Sequence, residues 1–223
     1  MARQPRVAIG ETIYHVINRA VGRAKIFQSE AQYAHFESLL LEGVQLFDMR
    51  ILAYCIMPNH WHLVLYPKKD GDLSAFMHWV TTTHVRQRRT KTKSVGNGHL
   101  YQGTYKSFPV ESDKHLVDLI RYVEQNPLRA KLVTRAEVWK WSSLYRRRRG
   151  NKEDAQLLAI LPTTLPSNYL QSVNTLLPKH IQEKIHFALE KGAPFGSDAW
   201  MLGMIETHHM THTQRPPGRP RVI

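Results

Sequence analysis

Residues 51–66, ILAYCIMPNHWHLVLY, constrain this chain more than any other stretch. Two apolar runs are broken by Pro58-Asn59, a dipeptide in which Pro pre-sets φ and Asn tolerates unusual backbone. Both runs are rich in residues that suit a pleated, buried surface, so they predict a strand–turn–strand hairpin. The second strand opens with His60, Trp61 and His62. Side chains alternate across a strand, so the two histidines project from one side, about 6.6 Å apart along it. Trp61, Leu63 and Leu65 face the other side and can be buried. Two imidazoles at that spacing can hold one divalent cation if another residue completes the site. The spacing alone is weak, because 13 histidines in 223 residues make one His-x-His pair unsurprising. Its place beside a turn, in the most apolar part of the chain, gives it weight.

The flanking segments supply the rest of a sheet and its helices. Residues 12–18 (TIYHVIN) read as a first strand, followed by a loop over 19–27 with Arg19, Arg23 and Lys25. Ser29 with Gln32 matches a capping box, and Tyr33, Phe36, Leu40, Val44 and Phe47 follow at helical spacing, which predicts a helix over 29–47. A second helix starts near Asp72 as N-cap and buries Leu73, Phe76, Met77 and Val80. Its far end carries Arg86, Arg88, Arg89, Lys91 and Lys93, a run that suits a helix C-terminus and phosphate contact alike. Residues 100–110 (LYQGTYKSFPV) read as a short strand. A third helix spans 112–126, buries Leu116, Ile120 and Val123, and stops at Pro127. The order strand, helix, strand, strand, helix, strand, helix predicts an α+β fold, one antiparallel sheet with helices packed on it.

Residues 1–150 therefore form the principal domain, ending in the aromatic stretch 138–145 and the run Arg146–Arg149. A small helical C-terminal region over 151–206 begins with a linker bearing Pro162 and Pro166. Residues 207–223 read as a flexible basic tail. Within it, Gly218-Arg219-Pro220-Arg221 resembles half of an AT-hook, in which Arg enters a narrow minor groove.

The net charge is +13, and it is lopsided: residues 1–150 hold 24 Lys+Arg against 12 Asp+Glu, whereas 151–223 hold 7 against 6. Such a basic domain implies a polyanionic partner, nucleic acid before membrane. No stretch approaches the roughly 20 apolar residues of a membrane span, and the N-terminus lacks the apolar segment of a signal peptide. The single cysteine, Cys55, excludes a disulfide framework or a cysteine metal site. A reduced, soluble, cytoplasmic protein is the expectation.

On the third helix, Tyr122 and Asn126 are i and i+4 and share one face, with Gln125 to the side. Taken with the hairpin, this pair makes a recognisable set. PNHWHLVL followed by DLIRYVEQNPLRAKLV resembles the HUH single-tyrosine transposases, and more narrowly the branch associated with repetitive extragenic palindromes (REP). YHVINRAVGRAKIF, LYQGTYKSF, WKWSS, PFGSDAWM and the terminal GRPR are similar to that branch as well. The resemblance implies a ferredoxin- or RRM-like sheet and a metal-dependent enzyme that cleaves and rejoins single-stranded or hairpin DNA. Tyr122 would be the nucleophile, forming a 5′-phosphotyrosine. His60, His62 and Asn126 would hold Mg²⁺ or Mn²⁺, Asn126 standing where the wider family has Gln; Gln125 is the alternative ligand. No nucleotide cofactor is implied, and the protein would act as a monomer or a homodimer, in the latter case with Tyr122 able to serve the partner's metal site.

An ordinary phenol is only about 0.1% ionised at pH 7, so the site must help Tyr122 lose its proton. The sequence names no base beyond a metal-bound water. Candidate DNA contacts are Arg19, Arg23, Gln102, Tyr105 and Lys106 around the sheet, Arg86, Arg88 and Arg89 on the second helix, and Arg219 and Arg221 in the tail. Two other readings use the same elements: a non-catalytic RRM-like module that binds single strands, and a metal-dependent hydrolase using water in place of Tyr122.

Overall fold

The hairpin forms with Pro58-Asn59 at its turn and stands at the centre of a four-stranded sheet. A computed structural model of the chain describes residues 7–92, 98–149 and 156–214; Lys93, Arg219 and Arg221 lie outside them. The strands are β1 (Ile13–Arg19), β2 (Arg50–Met57), β3 (His60–Tyr66) and β4 (Lys106–Val110). They lie in the order β2-β3-β1-β4, and every neighbouring pair is antiparallel. Helix α1 (Glu30–Phe47) links β1 to β2, and α2 (Asp72–Thr92) links β3 to β4. This is the βαββαβ order of a ferredoxin-like unit. Among the described residues no helix is long and apolar enough to cross a membrane.

Strand alternation splits the interior into two cores. Trp61, Leu63 and Leu65 of β3 join Tyr14 and Val16 of β1 under Phe36 and Leu40 of α1 and Phe76 and Val80 of α2. The opposite face presents Val64, Ile13, Phe108 and Cys55 to Leu116, Leu119, Ile120 and Val123 of α3 (Lys114–Glu124). The C-terminal helices α6 (Tyr169–Val173) and α7 (Lys179–Lys191) add Tyr169, Val173, Ile185 and Ala188 to this second core. A further helix, α8 (Asp198–Thr207), follows.

Several local expectations are corrected by competing hydrogen bonds. Ser29 is the N-cap of α1 but makes no side-chain cap; Gln32 Oε1 instead accepts from the Gln28 amide at 2.7 Å. Asp72 lies inside the first turn of α2 and its carboxylate accepts from Lys69 N at 2.9 Å. Residues 100–105 do not join the strand. Tyr101 makes only a lone bridge to Ala20, because its hydroxyl is drawn inward between Trp61 Nε1 (3.0 Å) and His84 Nδ1 (2.6 Å). Helix α3 starts from Asp113, whose carboxylate accepts from His115 N at 2.7 Å. Pro127 does not end the helical path, either. It opens a further turn, α4 (Asn126–Arg129), where a missing N–H costs nothing.

Both sheet edges are covered, which removes unpaired backbone groups. Along β2, Trp141 O accepts from Ile56 N (2.9 Å) and Trp139 Nε1 donates to Ile56 O (3.0 Å). Along β4, Phe195 exchanges backbone bonds with Pro109 and Glu111. The next residue, Gly196, passes so close to Glu111 and Trp200 that a Cβ would lie 2.5–2.8 Å from them.

The joint between the sheet domain and the C-terminal region is Glu124, whose side chain is fully buried. It accepts from Ser143 Oγ (2.5 Å) and Tyr169 Oη (2.7 Å) and pairs with Arg147 (2.6 Å), where Ser143 and Arg147 belong to α5 (Ser143–Arg149). Removing one partner from a buried pair strands the other charge. Glu124→Ala should therefore lower unfolding free energy by about 3 kcal/mol. Denaturant titration measures this, and a change below about 1 kcal/mol would mean the joint carries no weight.

Candidate active site

Helix α3 crosses the second face of the sheet so that Tyr122 lands on the histidines of β3. The rings of Tyr122 and His62 meet edge-on with centroids 6.0 Å apart, and His60 and His62 are 5.0 Å apart. A third histidine, His15 of β1, lies behind them. Its Nε2 is 2.9 Å from His62 Nδ1, and the two rings stack with centroids 5.1 Å apart. The sequence reading did not single out His15, although alternation already put it on the same face as Ile13 and Ile17.

The imidazole nitrogens are not equivalent. Asn59 donates through Nδ2 to Arg23 O (3.2 Å), which orients its amide so that Oδ1 accepts from His60 Nδ1 at 2.6 Å. His60 Nδ1 therefore carries the proton and Nε2 carries the lone pair. In His62, Nδ1 is engaged by His15, while Nε2 is buried with no hydrogen-bond partner. A buried polar atom without a partner is costly and asks for a ligand. Asn126 donates through Nδ2 to Tyr122 O (3.0 Å) and Val123 O (3.2 Å), leaving Oδ1 as its donor atom toward a cation. Gln125 turns away: it is fully buried, with its amide directed to the backbone of Ser172, Thr175 and Leu177. His60, His62 and Asn126 thus offer two nitrogens and an oxygen, a set that suits a divalent ion.

Electrostatics keep these rings neutral. Burial lowers the His60 pKa to about 4, aided by Arg19 and Arg129, and pushes His62 well below its ordinary value, with His60 next in effect. Burial alone takes His15 to about 3. Arg129, one helical turn beyond Asn126, sets its guanidinium over the Tyr122 ring at 4.6 Å. Its Nη1 is buried and without a hydrogen-bond partner, so it is a cation available to an anion at this spot. The signal for Arg129 was in the sequence: it is i+7 from Tyr122, hence on the same helix face.

The described residues hold one other cluster of metal-ligating side chains, Glu111, Asp113 and His115. Its atoms are committed to structure. Asp113 caps α3 and bonds His115 Nδ1 (2.8 Å), and Glu111 accepts from Ser197 N (2.6 Å). It also lies two helical turns from Tyr122, roughly 10 Å along the axis.

The sequence-selected DNA contacts fall into two groups. Arg19, Gln102 and Lys106 line one open groove of about 350 Å³ at the β1–β4 end, on the same side as Leu189 of α7. Arg86, Arg89 and Tyr105 line a larger groove of about 800 Å³ with Asn18 and His99. Tyr105 is mostly sunk in the first core. Arg88 and Arg89 are partly spent on structure, donating to Ile26 O and Gly98 O respectively, whereas Arg86 and Arg23 are exposed.

Known proteins resemble this chain in sequence and in fold. Residues 8–126 match the family model described as "Transposase IS200 like". A protein of Haemophilus influenzae named as a REP-associated tyrosine transposase is 24% identical over 122 residues, covering 50% of this chain and 68% of that one. In fold, the chain resembles a REP-associated tyrosine transposase solved bound to a REP hairpin: TM-score 0.54, 18% identity, with 74% of this chain and 93% of the other covered.

A neutral buried histidine makes stability depend on pH. Unfolded histidine takes a proton near pH 6.5, whereas folded His60 does so near 4 and folded His15 and His84 near 3. Below about 6.5 the unfolded chain binds more protons, so stability falls as pH drops from there toward 4 and is unaffected above. Each group should contribute about 1.4 kcal/mol per pH unit in that window. Unfolding of chelator-treated protein across the window reads the slope; a flat profile would contradict neutral burial.

Proposed function

Because the chain belongs to the IS200-like transposase family, we propose that it cuts and rejoins single-stranded or hairpin DNA through a covalent 5′-phosphotyrosine on Tyr122. The observation that carries this reading is the meeting of Tyr122 with His62, His60 and the unpartnered cation of Arg129 on one face. The chemistry needs a nucleophile, a counter-charge for the phosphate and in-line alignment. Tyr122 supplies the first and Arg129 contributes to the second. One phosphodiester replaces another, so bond energy is retained and a second strand's 3′-hydroxyl can reverse the reaction.

His60, His62 and Asn126 fit Mg²⁺ or Mn²⁺: their free atoms are neutral or carbonyl donors, and the His62 Nε2 lacks any other partner. Such an ion, when bound, supplies Lewis acidity to a phosphate oxygen. His15 would serve by holding the His62 ring and, through its Nε2, the proton on His62 Nδ1. Tyr122 lies against histidines of its own chain, which supports action in cis. The groove of Arg19, Gln102 and Lys106 suits exposed phosphates and bases. The solved relative's REP hairpin supports a hairpin substrate.

Covalent capture separates this reading from a binding module and from a hydrolase. With hairpin oligonucleotides bearing randomised single-stranded flanks, the label 3′ of the break should migrate with denatured protein, and the 5′ fragment should end in a 3′-hydroxyl. Tyr122→Phe should abolish the adduct and leave DNA affinity within about twofold, since it removes one oxygen from a ring that stays packed. An adduct that persists in Tyr122→Phe would assign the wrong residue. His62→Ala should cut Mn²⁺ affinity by about 10- to 100-fold and abolish cleavage. Unchanged Mn²⁺ binding, followed by titration calorimetry, would remove the metal assignment.

A further inference from the structure

The proposed nucleophile is not open to solvent; it is touched by the C-terminal region. Tyr122 is 4% exposed, and its hydroxyl lies 3.1 Å from Nε2 of His186 on α7. The rings meet edge-on, with centroids 5.8 Å apart and planes at 81°. This contact is anchored, because the neighbouring Ile185 and Ala188 are buried in the second core. Gln182 further fastens the helix start to Leu177 O at 2.7 Å. Helix α7 lies beyond residues 8–126, the part of the chain that the family model matches.

Granting Tyr122 as the nucleophile, we propose that His186 is the catalytic base that takes the Tyr122 proton, supplied to the active site by the C-terminal region. In cleavage the Tyr122 O–H bond breaks as its oxygen bonds phosphorus, and the proton passes to His186 Nε2. The P–O3′ bond breaks, and the departing 3′ oxygen takes a proton from water. In rejoining, a 3′-hydroxyl gives its proton back to solvent as its oxygen bonds phosphorus, the phosphorus–tyrosine bond breaks, and the imidazolium returns its proton to the phenolic oxygen. One group thus serves both directions.

The surroundings favour that role. Burial, with Arg129 second, holds the His186 pKa below its ordinary value, so the ring is neutral and able to accept at neutral pH. The other groups around the phenol are Arg129 of α4, His62 of β3 and His15 of β1. The guanidinium over the ring favours the phenolate that proton transfer creates. The two histidines are a poor alternative as bases, since each turns a nitrogen to the other. His186 also keeps an exposed edge, so a proton can pass on to water.

The test uses the full chain with Mn²⁺ and the randomised-flank hairpin pool, reading adduct formation in single turnover. His186→Ala should slow adduct formation by about 100-fold at neutral pH, with DNA affinity unchanged and the thermal midpoint lowered by no more than about 4 °C. His186→Gln keeps a hydrogen-bonding group but cannot take a proton, and should be equally slow. Added imidazole should restore His186→Ala several-fold and leave wild type and His186→Gln unaffected. A variant as fast as wild type, or a faster one, would overturn the proposal, the latter making α7 a cover over Tyr122. Loss without imidazole rescue would equally reject it. Absence of a Tyr122-dependent adduct from wild type itself would instead defeat the underlying assignment of the nucleophile.

Discussion

The hydrogen bond between His15 and His62 joins β1 to β3 at the point where the second core gives way to the site. An imidazole sunk in an apolar layer must stay neutral and must place each nitrogen. One nitrogen of each ring is satisfied by the other, and His62 is left with Nε2 bare. The surrounding sheet makes that arrangement rigid. Ile17 pairs with His62 and Arg19 with His60 across the same ladder, so a slip of β3 by one residue would turn His60 and His62 to the face opposite His15. The candidate site is therefore a property of strand pairing before it is a property of any single side chain.

Helix α3 converts that face into a site because its two sides have separate duties. Tyr122 and Arg129 look toward the histidines, and Glu124 and Gln125 look toward the C-terminal region. The second side fixes the first. Glu124 is held by three groups from α5 and α6, and Gln125 by backbone groups around Ser172, Thr175 and Leu177, so the helix has little freedom to roll. Pro127 contributes by starting a new turn, which carries Arg129 beneath the phenol. Sheet domain and C-terminal region thus share one core and one lever.

The hairpin, the βαββαβ order and the Tyr122–Asn126 face could be read from the sequence because each rests on local periodicity or a short motif. What could not be read depends on distant hydrogen bonds. Ser29 looks like a reciprocal cap, yet Gln32 bonds to Gln28. Residues 100–105 look like strand, yet the Tyr101 hydroxyl is claimed by Trp61 and His84. Asn126 reads as the ligand and Gln125 as the alternative, and the Gln125 amide is taken up by the Thr175 and Leu177 backbone, some fifty residues away. His186 is the extreme case. It is one of 13 histidines, on an unremarkable amphipathic helix, and only tertiary packing brings it to Tyr122.

Net charge, by the same logic, is a poor guide to which cations meet a polyanion. Of the basic residues that make the first 150 residues +12, several work inside the fold. Arg146 and Arg147 pair with buried Glu37 and Glu124, Arg50 with Glu11, and Arg88 with a loop carbonyl. Cations near the histidines are fewer and better aimed: Arg129 over the phenol, and Arg19 beside His60 at the end of β1, with Lys106 across the groove. Burial does most to depress the His60 and His62 pKa values, and the charges that would draw a phosphate act in the same direction, so the imidazoles stay unprotonated. Attraction of the substrate and readiness of the ligands are therefore compatible, and replacing Arg129 with a neutral residue would weaken the first while burial still keeps the imidazoles neutral.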